Sequence, residues 1–406
     1  MLRNEDRVSK SESTRLKLLT CAVAEISEIG PDRVGFTAIA KRAGLSTGAL
    51  YARYENVDEL LIDVWLHECL PTLRAFLHDV IDASIGDDRN ASQLSLSRSI
   101  NDIPAPLAVA ISLMVISHRN ETVAEVVAPS LCRIMDELIC SMPHAAVLVS
   151  QYLGQLVLIR GTGMNNLDWS RVVRVLSDIS AEKYEPTAPR ELHEFADGPF
   201  SFDLDDIDAS LFEAVEAVIA SVGVDKATIS RIARRAGINP ASIYMRYEDK
   251  EVMLERAIQV VYMNSTLRNA EFLARVAEMH QTDSAAAALV RANAADSNRL
   301  KRLLRLEVMH AAAYHEYLGR VMRSFYDGVV ARDISVQDLQ SSNALNSQRP
   351  YTLFARAHFF GIALLREFGY VSPADPYMQP YFDRLTARMT KSSEKLAALT
   401  KSELLH

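Results

Sequence analysis

Cysteine, glycine and proline are all scarce in this 406-residue chain: 4, 15 and 14 residues respectively. Cys21, Cys69, Cys132 and Cys140 make no CxxC spacing, which leaves a disulfide framework without support and predicts reduced thiols in a cytosolic protein. With so few turn residues and hardly any alternating apolar runs, a strand-rich fold is excluded and an all-α fold expected. Positive charge is in short supply too. Lys and Arg number 44 against 52 Asp and Glu, a net charge of −8, which argues against an unselective, uniformly basic nucleic-acid binder. Long apolar runs are missing. The greasiest stretches, Leu107–Ser117 and Ala145–Ile159, are too short or are interrupted by Gln151 and Gln155, and MLRNEDRVSKSESTR has no apolar core of a secretory signal. A soluble, cytoplasmic protein without membrane contact is therefore expected. Hydrophobic content of 49% and charged content of 24% suit a globular chain long enough for two or three domains.

One segment occurs twice. Residue 18 overlays residue 211 and, without a gap, residue 61 overlays residue 254, with about 15 of 44 positions identical. The identities concentrate in Ile-Ala-(Lys/Arg)-Arg-Ala-Gly and in Tyr-x-Arg-Tyr-Glu. A repeat at so long a period marks two copies of a domain rather than a solenoid.

The punctuation of each copy predicts short helices. Leu19, Ala22, Val23, Ile26 and Ile29 form one apolar stripe over about Thr14–Ile29, ended by Gly30-Pro31. A second helix over Thr37–Ala43 stops at Gly44, Ser46 is placed to cap a third, and Asn56 to cap a fourth. In the second copy the helix of Ser210–Ser221 stops at Gly223, the next ends at Gly237, and Asn239-Pro240 is a strong helix start. Helical patterns follow at about 106–118, 122–141, 145–160 and 170–182, and again at 253–279, 284–297, 299–327, 351–368 and 377–400, with a loop expected over Gln337–Pro350. The domain plan is thus 1–61 and 210–256 as two small helical units, 62–182 and 257–406 as the helical domain after each, and 183–209 as a linker.

Helix, glycine turn, helix lets a second helix lie in a DNA major groove while the first crosses the backbone. Ile39, Ala40, Ala43, Leu45 and Leu50 are read as the inner face, so that Thr47, Tyr51, Ala52 and Arg53 project outward. Their counterparts are Ile232, Ala233, Ala236, Ile238 and Ile243 inside, and Pro240, Ser242, Tyr244, Met245 and Arg246 outside. Arg33, Lys41, Arg42 and Arg53 make the first unit locally basic; Lys226, Arg231, Arg234, Arg235, Arg246 and Lys250 do so in the second.

FTAIAKRAGLSTGALYARYENVDELL and TISRIARRAGINPASIYMRYEDKEVML resemble the tetracycline-repressor (TetR) family of bacterial regulators, and the whole resembles tandem members with two such units per chain. The resemblance implies a three-helix DNA reader followed by a helical domain that binds a small effector and dimerises. Position by position it implies DNA contact by Thr37, Ser46, Thr47, Tyr51 and Arg53, by Ser230, Asn239, Pro240, Tyr244 and Arg246, and by Lys250 on phosphate, where the first copy has Val57. It also makes Arg3, Arg7 and Lys10 a candidate basic arm, with an unstructured tail as the alternative.

The two readers differ at Thr47 against Pro240, Ala49 against Ser242 and Ala52 against Met245, so an operator with unlike half-sites is expected. The predicted partner is double-stranded operator DNA, bound by an intramolecular pseudo-dimer with further homo-dimerisation open. Helices 145–160 and 351–368, with Gly154 and Gly361, are the expected seam. The functional expectation is a transcriptional repressor released by a small apolar effector. His118 with Arg119, or Glu307, His310, Tyr314 and His315, are candidates for the polar end of its pocket. The alternative is a regulator with one working reader, the other half serving protein contacts. No paired carboxylates, metal spacing or nucleophile motif is present, so no catalysis, metal or cofactor is expected.

Overall fold

The computed structural model describes residues 2–164, 167–188, 204–278, 285–335, 342–371, 374–385 and 387–388, and these contain helices and turns with no strand among them. In chain order the first half holds α1 (Leu2–Ile29), α2 (Phe36–Ala43), α3 (Thr47–Tyr51), α4 (Val57–Val64), α5 (Leu70–Ile85), α6 (Arg89–Asn101), α7 (Ala105–Ile116), α8 (Glu121–Ser141), α9 (Ala145–Thr162) and α10 (Trp169–Ser180). The second half holds α11 (Asp206–Lys226), α12 (Ile229–Ala236), α13 (Pro240–Tyr244), α14 (Lys250–Glu278), α15 (Ala285–Ala294), α16 (Arg299–Ala312), α17 (Glu316–Ser335) and α18 (Ser342–Glu367). These helices form two compact units, Met1–His78 with Ile103–Ile134, and Asp79–Asp102 with Met135–His406.

In the first unit α1 packs on α2, α4 and α7. Leu18, Leu19, Ala22 and Ile26 on its inner stripe are fully buried; each leucine or isoleucine contributes about 1.5–3 kcal/mol. That stripe also meets α7, an apolar helix buried from Leu107 through Ile116, so the small helical unit leans on a helix of the segment that follows it. A π-helical turn, Trp65–Cys69, joins α4 to α5 and buries both of its end residues.

In the second unit α9 packs along α18 and also touches α16 and α17. The expected seam pair is therefore in contact, and its glycines explain how closely. A Cβ on Gly154 would lie 1.9 Å from the Ala357 carbonyl oxygen, and one on Gly361 only 1.6 Å from that of Ser150. Nothing larger than hydrogen fits at either crossing. Elsewhere in this unit α11 packs on α12, α14 and α16, and α10 packs on α6.

Several expectations about elements need correction. The 299–327 helix is two helices, because the chain turns at Ala313–His315 between α16 and α17. No Gly or Pro marks that turn, so tertiary packing sets it. Residues 342–350 of the expected loop belong to α18, and 337–341 lie outside the described residues. Polar composition by itself does not exclude a helix. Helices α5 and α6 have no counterpart among the predicted ones; in α6 serine and asparagine dilute the apolar period. Helix α1 starts at Leu2, so the backbone of the Arg3–Lys10 stretch is helical rather than an unstructured tail. Asp205 caps α11 through the Asp208 amide, which starts that helix before Ser210. Of the linker, 189–203 lie outside the described residues, as do 389–400 of the last predicted helix.

Candidate nucleic-acid interface

Each reader turns on a left-handed glycine. Gly44 has φ 63° and Gly237 φ 70°, a conformation side chains resist, and the next residue closes the turn: Leu45 N donates to Ala40 O at 2.9 Å and Ile238 N to Ala233 O at 3.0 Å. Ile39, Ala40, Ala43 and Leu50 are buried, as are Ile232, Ala233 and Ile243. Leu45, Ile238 and Ala236 are half-buried. The inner face predicted from spacing is largely the inner face found.

The outer face follows from it. Thr37, Ser46, Tyr51 and Ala52 are exposed and Thr47 and Arg53 half-buried; Ser230, Asn239, Pro240, Tyr244, Met245 and Arg246 are exposed and Ser242 half-buried. Tyr51 and Tyr244 keep 65% and 60% of their surface and Met245 81%, an unusual exposure for large apolar groups. Tyr51 is steadied edge-on by Phe36, with ring centroids 5.0 Å apart.

The caps differ between copies. Asn239 accepts from Ala241 N at 2.9 Å and starts α13, and Asn56 accepts from Glu59 N at 3.0 Å at α4. Ser46 is expected to do the same for α3, but its hydroxyl makes no capping bond; only its carbonyl receives Ala49 N.

Charge at the two readers is also handled differently. Arg42 is engaged by Glu25 (2.8 Å) and Glu28, positions that are Val218 and Ser221 in the second copy. In the second reader it is Arg246 that is engaged, 2.7 Å from Asp205 and 3.6 Å from Asp208. Lys250, expected on phosphate, points its amine at the Val224 carbonyl at 3.2 Å, and burial lowers its affinity for a proton. Tyr54 and Arg15 both hold Asp63, at 2.6 and 2.5 Å. Burial alone would raise this carboxyl, but those two hydrogen bonds keep it below the usual range. In the second copy the charges are exchanged: Asp208 stands for Arg15 and Arg256 for Asp63, and Tyr247 donates to Asp208 at 3.1 Å.

A further contact was not visible in the motif. Arg119, just beyond α7, forms a two-pronged pair with Asp32 at 3.0 and 2.6 Å, with side chains only 5% and 9% exposed. Asn120 beside it donates to Asp58 at 2.9 Å. The repeat places Asp225 where the first copy has Asp32, and there His315, in the α16–α17 turn, lies 3.1 Å away. Each helix-turn-helix unit is thus tied to a turn between two helices of the segment that follows it. The effector candidates His118 and Tyr314 lie next to these contacts in the chain. His118 precedes Arg119. His310 stacks edge-on against Tyr314 at 5.2 Å, and Tyr314 accepts from Arg160 of α9 at 2.9 Å. None of the three lines the four cavities around Glu216 and Tyr262 among the described residues. No cluster of metal-binding side chains occurs among those residues either, and no single helix is long and apolar enough to cross a membrane.

Comparison with known proteins matches this geometry. Residues 18–64 and 211–257 each match the family model of bacterial regulatory proteins, tetR family. The HTH-type transcriptional regulator AqdR of Rhodococcus erythropolis is 42% identical over 52 residues, covering 13% of this chain and 25% of that protein. A probable acrEF/envCD operon repressor of Escherichia coli is 29% identical over 75 residues, 18% of this chain and 33% of that one. An uncharacterized HTH-type transcriptional regulator of Mycobacterium tuberculosis is 31% identical over 118 residues, 29% of this chain and 59% of its own length. The chain thus spans between a quarter and three fifths of these relatives. The two matches fall at equivalent positions of a duplicated all-helical chain, so each half opens with a segment similar to the helix-turn-helix domain of the tetR family.

Proposed function

We propose that the chain is a sequence-selective DNA-binding regulator of transcription, a repressor in which both helix-turn-helix units read the operator and a small molecule in the helical segments relaxes their grip. The observation that carries this reading is the matched presentation of Tyr51 with Arg53 and of Tyr244 with Arg246 at the ends of the two short helices α3 and α13. A tyrosine hydroxyl suits a phosphate oxygen, and an arginine suits either phosphate or the O6 and N7 of guanine. Thr37, Ser46, Thr47, Ser230, Asn239, Pro240 and Ser242 surround them as register-setting contacts. Met245 offers a thymine methyl an apolar surface that Ala52 hardly supplies, which supports an operator with unlike half-sites. The α9–α18 seam joins helices from both halves, as an intramolecular pseudo-dimer requires, and tethering gives the partner half a millimolar effective concentration.

The test is DNA affinity of the full chain with Arg53→Ala and Arg246→Ala made separately. Each is expected to cost roughly 1–3 kcal/mol on the preferred operator. A second reading, with one working reader, draws on the Arg246–Asp205 pair; it gains if Arg246→Ala leaves affinity unchanged while Arg53→Ala does not.

A further inference from the structure

In the second half three hollows adjoin one another. An open cleft of about 590 Å³ reaches Arg235 on α12 and shares Glu216, Asn264, Arg268 and Lys301 with a narrow neck of about 30 Å³. The neck in turn shares Tyr262, Ser265, Asn269 and Arg305 with a partly open chamber of about 230 Å³. That chamber is walled by Leu273, Phe325, Tyr326, Val329, Phe359 and Phe360, with Arg356 also in its lining. The path therefore runs from the reader's flank, past a charged constriction, into an aromatic compartment.

The constriction holds three cations, Arg268, Lys301 and Arg305, against one carboxylate, Glu216. Arg305 gives its hydrogen bonds to neutral acceptors, Asn293 Oδ1 at 2.5 Å and Ser265 Oγ. Its side chain is enclosed by protein yet keeps some surface toward the cavity. Burial works against its charge, with Tyr262, Tyr326 and Glu216 opposing that effect. Glu216 is the second unusual group. The repeat aligns it with Val23, a residue buried in the first copy's core. Glu216 is itself buried, its Oε1 accepts no hydrogen bond, and burial raises its affinity for a proton against the opposing pull of Lys301, Arg305 and Arg268. A buried carboxylate in place of a core valine is costly to fold and persists where it has a use. Glu216 lies on α11, which packs on α16, the helix that carries Lys301 and Arg305.

We propose that this cavity binds a small carboxylate with a compact apolar body, the carboxylate on Arg305 in the neck and the apolar body in the aromatic chamber. The chamber is smaller than the roughly 300–1,000 Å³ that drug-sized ligands occupy, so a single ring or a short branched chain is the right scale. The ligand's carboxylate competes with Glu216 for the same cations. It therefore loosens α11 from α16, and α11 is the first helix of the second reader. By reciprocity, DNA that holds α11 in place lowers affinity for the acid by the same factor. This inference rests on the ligand-responsive regulator proposed above and names its ligand class as an anion rather than a neutral apolar molecule.

Calorimetric titration of the full chain with phenylacetate, phenylacetamide and inorganic phosphate tests it. Phenylacetate is expected to bind at least tenfold more tightly than the amide or phosphate. Arg305→Gln should remove that preference. Glu216→Gln, a near-isosteric change that removes the competing charge, should tighten phenylacetate several-fold, so the two variants move in opposite directions even if the arginine variant is less stable. Equal binding of acid and amide, equal binding of phosphate, no binding of the acid at millimolar concentration, or weaker binding by Glu216→Gln would each overturn the proposal. Operator affinity measured alongside without ligand separates the two claims: intact DNA binding with no acid preference defeats only the ligand class, whereas absent DNA binding defeats the regulator reading.

Discussion

Arg246 is the residue whose surroundings say most about unequal readers. Its guanidinium pairs with Asp205 and Asp208 on the surface, its side chain 32% exposed, and such exposed pairs yield readily to a competing phosphate. Asp205 also caps α11, and asparagine caps as well as aspartate. Asp205→Asn should therefore leave the fold intact and raise affinity for DNA a few-fold at low salt, an advantage that fades as salt screens the interaction; fluorescence anisotropy across a salt series measures both. The Arg119–Asp32 pair is the opposite case, because both side chains are buried. Arg119→Ala leaves Asp32 charged and enclosed, and should destabilise the first unit by about 3–5 kcal/mol in urea denaturation. Arg119→Lys should recover only part of that, since an ammonium cannot make the two-pronged contact. The outward residues Tyr51, Tyr244 and Met245 were legible from spacing, because the same repeat that fixes the buried positions leaves them outside. Arg119 was not legible: its partner is 87 positions away, and no periodicity links a turn to so distant a carboxylate.

Among the elements, α9 and α18 make the sharpest demand. Gly361→Ala places a methyl group 1.6 Å from the Ser150 carbonyl oxygen, and Gly154→Ala places one 1.9 Å from that of Ala357. Both are backbone atoms of the facing helix, so the helices must separate. Each substitution should cost at least the roughly 1–3 kcal/mol typical of overpacking, read as a lower midpoint in thermal or urea unfolding. Gly328, in α17, has open space where an alanine methyl would sit, with nothing within 4 Å. Gly328→Ala should instead stabilise by up to about 1 kcal/mol through helix propensity. If all three glycines behaved alike, the close crossing would be refuted. The same contrast explains which elements could be foreseen. Apolar stripes and glycine stops located α2, α3, α12 and α13, whereas the α16–α17 break falls in a stretch of good helix formers.

For the whole molecule, the proposal is one chain carrying two unlike readers. Footprinting should show an asymmetric protected site occupied by one chain, and exchanging the two half-sites should change affinity; a symmetric preferred site would contradict it. The steepness of the salt dependence, close to 0.9 per phosphate neutralised, should fall when either Arg53 or Arg246 is replaced by alanine. Duplication, fold class and the inner and outer faces of the two helix-turn-helix units were determined by sequence alone, because local periodicity, glycine turns and a gapless repeat act over a few residues at a time. Tertiary structure alone decided how each helix-turn-helix unit is tied to a distant helix–helix turn, that Asp205 occupies Arg246, that Lys250 turns inward to Val224, and that Glu216 shares a cavity with Arg305. Those outcomes depend on which distant helices meet and at what distance, and charge pairing and cavity shape exist only once they have met.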